Sequence, residues 1–229
     1  MIGWKRPKQD RTIVMEFEQQ LAKQLFDSIR AEDEQLLIDA LERGAPLDAL
    51  DPEDDINEYN GVTPFLYAVN RGWEAGCKLL FEYGADLHET DNNGANAMHY
   101  NAWQAYANQE QRNIALFLLE HGIAFDAATE ADDTAMRMGK TPIMVAANWG
   151  NSWGVNLLLQ QGAEVNRKDA DECTALVHAA RIFHLDIVKT LISHGADTAV
   201  EVPFPVGEGT VIPVRKGTSS LPSPFRTSE

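Results

Sequence analysis

The chain has 229 residues, 44% of them hydrophobic, and carries 19 basic against 35 acidic side chains for a formal net charge of −16. A surplus of that sign repels phosphate backbones and disfavours nucleic-acid binding, and no apolar run of about 18 residues is present to span a membrane. The basic start Met1–Lys8 leads into no apolar stretch, which argues against a secretory signal, and Cys77 and Cys173 are expected to be reduced and packed inside, so a cytoplasmic location is expected.

In chain order, Asp10 to Arg30 reads as a helix, because Ile13, Phe17, Leu21, Leu25 and Phe26 fall on one stripe. Ala31-Glu32-Asp33 breaks it. Glu34 to Glu42 forms a second helix with Leu36, Leu37, Ala40 and Leu41 apolar, and Gly44 stands where a helix-terminating glycine belongs. Residues 1–17 are assigned to an N-terminal segment that contains the start of the first helix, and 18–59 to a degenerate end unit. From Ala31 to Glu58 there are eleven carboxylates against one base, Arg43. That field suits solubility, or in a sharper reading the docking of a basic protein.

Four related units follow, at 60–92, 93–137, 138–170 and 171–200. Each opens on a variant of one motif: Gly61-Val62-Thr63-Pro64, Gly94-Ala95-Asn96-Ala97, Gly139-Lys140-Thr141-Pro142 and Glu172-Cys173-Thr174-Ala175. Threonine or asparagine can cap the helix there, and proline fits the first helical turn. Small residues (Ala68, Ala102, Ala146, Ala147, Ala179, Ala180) let first helices approach closely. Second helices carry leucine runs that stop at Gly84, Gly122, Gly162 or Gly195. A unit of this kind cannot bury its own apolar face and must stack on its neighbours. From Ala102 to Gly122 is 20 residues, where Val69–Gly84, Ala147–Gly162 and Ala180–Gly195 each span 15, an insertion of five. The connections Ala45–Val62 and Ile123–Lys140 are also long, and such insertions often serve binding.

From Glu201 to Glu229 lies a Pro- and Ser-rich tail holding five of the ten prolines, in part expected to be disordered. Val200, Val202, Phe204 and Val206 alternate, and are expected to lie across the last helix pair over Ile187, Val188 and Leu191.

The pattern Gly-x-Thr-Pro, then Ala-Ala, then Leu-Leu-x-x-Gly-Ala-Asp resembles the ankyrin repeat. The likeness covers roughly Glu18 to Val200, with Asn96-Ala97 and Thr174-Ala175 departing from Thr-Pro. It implies an all-α, ankyrin-type helix-turn-helix solenoid of about five stacked repeats with projecting hairpin loops. It further implies a concave groove lined by the first helices, and a histidine at His99 that ties adjacent loops. The candidate partner-binding residues on that stripe are Tyr67, Arg71, Tyr100, Trp103, Trp149, His178 and Arg181, because Tyr, Trp and Arg dominate interface hot spots. Trp73 and Trp153 are expected to pack between repeats.

No histidine forms a metal-ligand pair with another, and Asp51-Pro52-Glu53-Asp54-Asp55 lacks the ligand order of a calcium loop, so neither metal nor cofactor is expected. His121 and His194 precede helix-ending glycines, where a cation suits the helix terminus. No phosphate-binding loop or nucleophile elbow is present, and no catalytic residue is assigned. The sequence therefore reads as a non-enzymatic, monomeric scaffold for a protein partner. An acidic inhibitor of a basic toxin or nuclease-like protein is the alternative, and an enzyme is a distant third.

Overall fold

The computed structural model describes residues 11–50, 61–105, 107–130 and 139–199. Among them are ten α-helices: α1 (Arg11–Ala31), α2 (Glu34–Glu42), α3 (Pro64–Arg71), α4 (Glu74–Glu82), α5 (Ala97–Ala102), α6 (Gln109–Glu120), α7 (Pro142–Trp149), α8 (Ser152–Gln160), α9 (Ala175–Arg181) and α10 (Leu185–Ser193). The described residues contain no strand; Thr90 and Asn96 form an isolated antiparallel bridge at the base of a hairpin turn. Each even-numbered helix folds back on the odd-numbered helix before it. The odd-numbered helices pack side by side in one row, and α2–α4–α6 and α8–α10 contact along a second row. One continuous apolar core runs between the rows from Leu21 to Ala196. This is the stacked helical solenoid expected from the repeats.

Local chemistry explains the helix ends. Thr63 Oγ1 accepts from the Leu66 N–H at 3.4 Å, Thr174 Oγ1 from the Val177 N–H at 3.4 Å, and Asn96 Oδ1 from the Met98 N–H at 3.1 Å. Thr141 holds the same backbone position, but its buried hydroxyl oxygen finds no partner. Gly72 and Gly150 end α3 and α7 with φ of 73° and 79°, where a β-carbon would be strained.

The insertion of five divides between two places. Part forms the 103–108 connection, and part lengthens α6 to 12 residues against nine in α2, α4, α8 and α10. Gln104 Nε2 donates to the Asn70 carbonyl at 2.6 Å and ties that connection to the preceding unit. Further along, Thr129 N–H donates to the Lys140 carbonyl at 2.9 Å, and Lys140 N–H donates to Thr129 Oγ1 at 3.0 Å. These two bonds clasp the ends of the second long connection.

Two expected core residues are exposed. Phe17 on α1 is half in water, because α1 spans about 32 Å at about 1.5 Å per residue and its neighbours are far shorter. Leu36 is exposed on the outer side of α2, while Leu37, Ala40 and Leu41 are buried. Cys77 and Cys173 are free thiols and buried. The expected packing of Val200, Val202, Phe204 and Val206, like residues 51–60 of the acidic segment, lies outside the described residues.

Candidate interaction surface

Numbering from each helix N-cap (Thr63, Asn96, Thr141, Thr174) puts the units in register. Four residues on come Tyr67, Tyr100, Val145 and His178; eight residues on come Arg71, Gln104, Trp149 and Ile182. These two positions have different fates, and the difference corrects part of the sequence reading.

The first position lies mid-helix, wedged between neighbouring helices. Tyr100 is fully buried, and its hydroxyl donates to Asp91 Oδ2 at 2.9 Å. His178 is buried as well, with Nε2 donating to Asp169 Oδ2 at 2.7 Å. Neither side chain has surface to offer a partner, so their expected place in the groove is withdrawn. Tyr67 is half-buried, tilted against Phe26 at 5.7 Å between ring centres, with the Arg30 guanidinium over its face. Val145 is buried.

The carboxylates behind this correction were not singled out from sequence. Asp91 and Asp169 each stand five residues before an N-cap, and both are buried. Asp91 Oδ1 accepts from the N–H groups of Asn93 (2.9 Å) and Ala95 (2.8 Å). Asp169 Oδ1 does the same for Asp171 (3.0 Å) and Cys173 (2.9 Å). Burial alone would raise the Asp169 pKa, but the hydrogen bonds from His178, Cys173 and Asp171 outweigh it and hold the carboxyl below its ordinary range. The shared spacing of an aspartate nine residues before Tyr100 and His178 was the available signal.

At the second position Arg71, Trp149 and Ile182, at the C-terminal ends of first-row helices, open to solvent, whereas Gln104 is half-buried and held to the Asn70 carbonyl. Arg71 is exposed and pairs with Glu32 at 3.2 Å. Trp149 is 51% exposed, Ile182 47% and Phe183 74%. Arg181 is exposed, with its side chain engaged with the Cys173 thiol at the start of α9. Trp103, one residue earlier in the register, is half-buried and stands edge-on to Tyr100 with ring centres 4.8 Å apart, so it is partly a packing residue. Trp73 is buried, as expected, and Trp153 is half-buried beneath the Arg112 guanidinium at 5.5 Å.

The histidines serve structure. His99 Nδ1 accepts from the Asn96 N–H at 3.2 Å, so Nε2 carries the proton and donates to the Lys140 carbonyl at 3.0 Å. That bond ties the third unit's helix to the next loop. His121 and His194 Nδ1 each donate at 2.8 Å to a carbonyl one turn back, closing α6 and α10. No group of three or more His, Cys, Asp or Glu among the described residues is placed to hold a metal ion, and none of the described helices is long and apolar enough to cross a membrane.

Of the acidic first unit, Glu32 pairs with Arg71, Asp33 caps α2 and Asp39 lies 3.6 Å from Arg43. A shallow cavity of about 510 Å³ lies beside the end of α6, lined by Leu119, Ile123, Phe125 and Asp126 among others. It gathers no set of titratable groups of the kind catalysis needs.

The family model "Ankyrin repeats (3 copies)" matches residues 25–129, 104–169 and 127–202. Similar proteins include the potassium channel AKT2/3 of Arabidopsis thaliana, 29% identical over 143 residues, which cover 62% of this chain and 16% of the channel. L-asparaginase of Dirofilaria immitis is 24% identical over 176 residues, 65% of this chain and 28% of that protein. Ankyrin repeat protein nuc-2 of Neurospora crassa is 28% identical over 176 residues, 75% of this chain and 15% of that protein. The chain thus spans less than a third of the length of each of these relatives. With the repeats matched from residue 25 to residue 202, the chain belongs to the ankyrin repeat family.

Proposed function

We propose that the chain is a non-enzymatic scaffold that holds a protein partner along the C-terminal ends of its first-row helices. Ankyrin repeats generally mediate protein–protein interaction. The observation that carries the reading to particular residues is the exposure of Arg71, Trp149 and Ile182 at one register position, which passes from polar to apolar along the array. Large exposed side chains in register across stacked units offer contact area at little entropic cost.

The test is site-specific photo-crosslinking from position 149 in the full-length chain, against the same probe at the exposed Glu120 on the second row. The reading requires a protein adduct from position 149 that is absent from position 120 and is lost with Arg71→Glu and Arg181→Glu combined. Equal adducts from both positions would overturn it.

A second reading keeps the acidic inhibitor of a basic protein. Its support is Glu89, whose carboxyl is raised above the usual range by burial and by the nearby charges of Asp86 and Asp48, despite a hydrogen bond with Thr63. Glu89 thus lies near Asp86 and Asp48, three carboxylates in the loops of the first two units. An association rate that falls steeply with salt would favour this reading, and a salt-insensitive rate would remove it.

A further inference from the structure

The turn that leads into α5 holds the only Asn-Gly step among the described residues, Asn93-Gly94. Such a step is chemically labile in water. The backbone nitrogen of the second residue attacks the asparagine Cγ, ammonia leaves, and a cyclic imide forms. Water then opens the imide to aspartate or to isoaspartate. Glycine favours the attack because no side chain shields its nitrogen.

The fold cannot exchange that glycine. Gly94 has a φ of 73°, and an added Cβ would lie 3.0 Å from the Glu130 backbone nitrogen. That nitrogen donates to the Asn93 carbonyl at 2.8 Å. The labile pair is therefore imposed by the packing of one loop on the next.

Each group that the reaction needs is restrained by Asp91. The nucleophile, Gly94 N–H, donates to the Asp91 carbonyl at 2.9 Å. The electrophile, the Asn93 carboxamide, donates through Nδ2 to Asp91 Oδ2 at 3.4 Å, and Asn93 N–H donates to Asp91 Oδ1 at 2.9 Å. Asp91 is itself buried and fixed by the Ala95 N–H at 2.8 Å and the Tyr100 hydroxyl at 2.9 Å. One buried residue thus governs whether the Gly94 nitrogen can turn onto Asn93 Cγ.

The fifth unit shows what the products would meet. Asn93 and Asp171 each stand three residues before an N-cap, Asn96 and Thr174. Asp171 N–H donates to Asp169 Oδ1 at 3.0 Å, as Asn93 N–H does to Asp91 Oδ1. An aspartate is therefore accepted at this place in the array. An isoaspartate is not its equivalent. It routes the main chain through Cγ and lengthens it by a carbon, so the N–H groups of residues 93, 94 and 95 can no longer converge on Asp91.

We infer that Asn93 is a deamidation site gated by Asp91, so that isoaspartate accumulates in step with how often the third unit's loop has opened and then keeps that loop from closing. Each event consumes a water and releases an ammonia, and no other reagent takes part. The loop opens by local fluctuation of the native chain.

The experiment incubates the full-length chain at pH 8 and follows Asn93 by peptide mapping, with the aspartyl and isoaspartyl products separated by chromatography. A synthetic peptide of residues 88–98 supplies the unrestrained rate. Asn93 in the folded chain should react at least a hundredfold more slowly than in the peptide. Tyr100→Phe removes a bond that fixes Asp91 and should speed the reaction at least fivefold, with less than twofold change for Tyr83→Phe. A series in sub-denaturing urea needs no variant: the reaction should rise in proportion to hydrogen exchange at the Gly94 amide. The purified isoaspartyl form should melt below both the original chain and Asn93→Asp.

Reaction in the folded chain as fast as in the peptide would overturn the gate, and an intact Asn93 after incubation in denaturing urea would overturn the site. A rate that fails to follow Gly94 exchange across the urea series, or a Tyr100→Phe rate equal to that of Tyr83→Phe, would overturn the role of Asp91. An isoaspartyl form that melts with the original chain would overturn the lasting opening.

Discussion

Replacing Asp169 by alanine removes the acceptor for three donors at once: the N–H groups of Asp171 and Cys173 and Nε2 of His178. Asp171 is exposed and can turn to water, but Cys173 and His178 are buried and cannot. Leaving a buried donor unpaired costs about 1–3 kcal/mol, so two of them should destabilise the fifth unit by about 3 kcal/mol. In an array, each unit leans mainly on its neighbours, so the loss should appear first in α9 and α10. Amide exchange over 175–193 should accelerate roughly a hundredfold at that cost, while α3 and α4 change little. The pH dependence gives a second reading of the same bond. The folded Asp169 carboxyl titrates below its ordinary value of 3.8, so its contribution is complete above that value and fades as pH falls through the lower folded one. The gap between the original chain and Asp169→Ala should therefore be full at neutral pH and shrink below 3.8. Asp186→Ala, at a carboxylate 91% exposed, is the control. A loss no greater than that control's, or a gap that stays the same at low pH, would refute the reasoning.

Three other perturbations probe the same packing. Tyr100→Phe deletes the hydroxyl that donates to buried Asp91 and should lower stability by about 1.5–3 kcal/mol in urea titration, with the exposed Tyr83→Phe near neutral. Gly76→Ala would drive a methyl into the Trp73 ring that lies against Gly76; overpacking of about 1–3 kcal/mol should exceed the helix-propensity gain of about 1 kcal/mol, giving a lower melting temperature. The Cys77 thiol is pushed far up by burial and by the Glu74 charge, so it should resist iodoacetamide at pH 8 in the folded chain and react once urea opens the array.

The architecture was readable in the sequence because its signals are local and repeated. A threonine or asparagine cap and a glycine stop recur in register, so helix ends could be placed nearly to the residue. The exposed stripe was only half readable. Helical spacing put Tyr67, Tyr100 and His178 on one face with Arg71, Trp149 and Arg181, and spacing is all that a single helix offers. What separates them is the adjoining helix, which buries the middle of each short helix and leaves its end open. The aspartates that hold Tyr100 and His178 lie in the preceding turn, where polar residues are unremarkable until the fold brings them inward.

The clasp between Thr129 and Lys140 also joins neighbouring units. The Lys140 carbonyl accepts from both the Thr129 N–H and His99 Nε2, so the third unit's first helix, the loop after α6 and the opening of the fourth unit share one acceptor. The third and fourth units should therefore open together rather than one at a time.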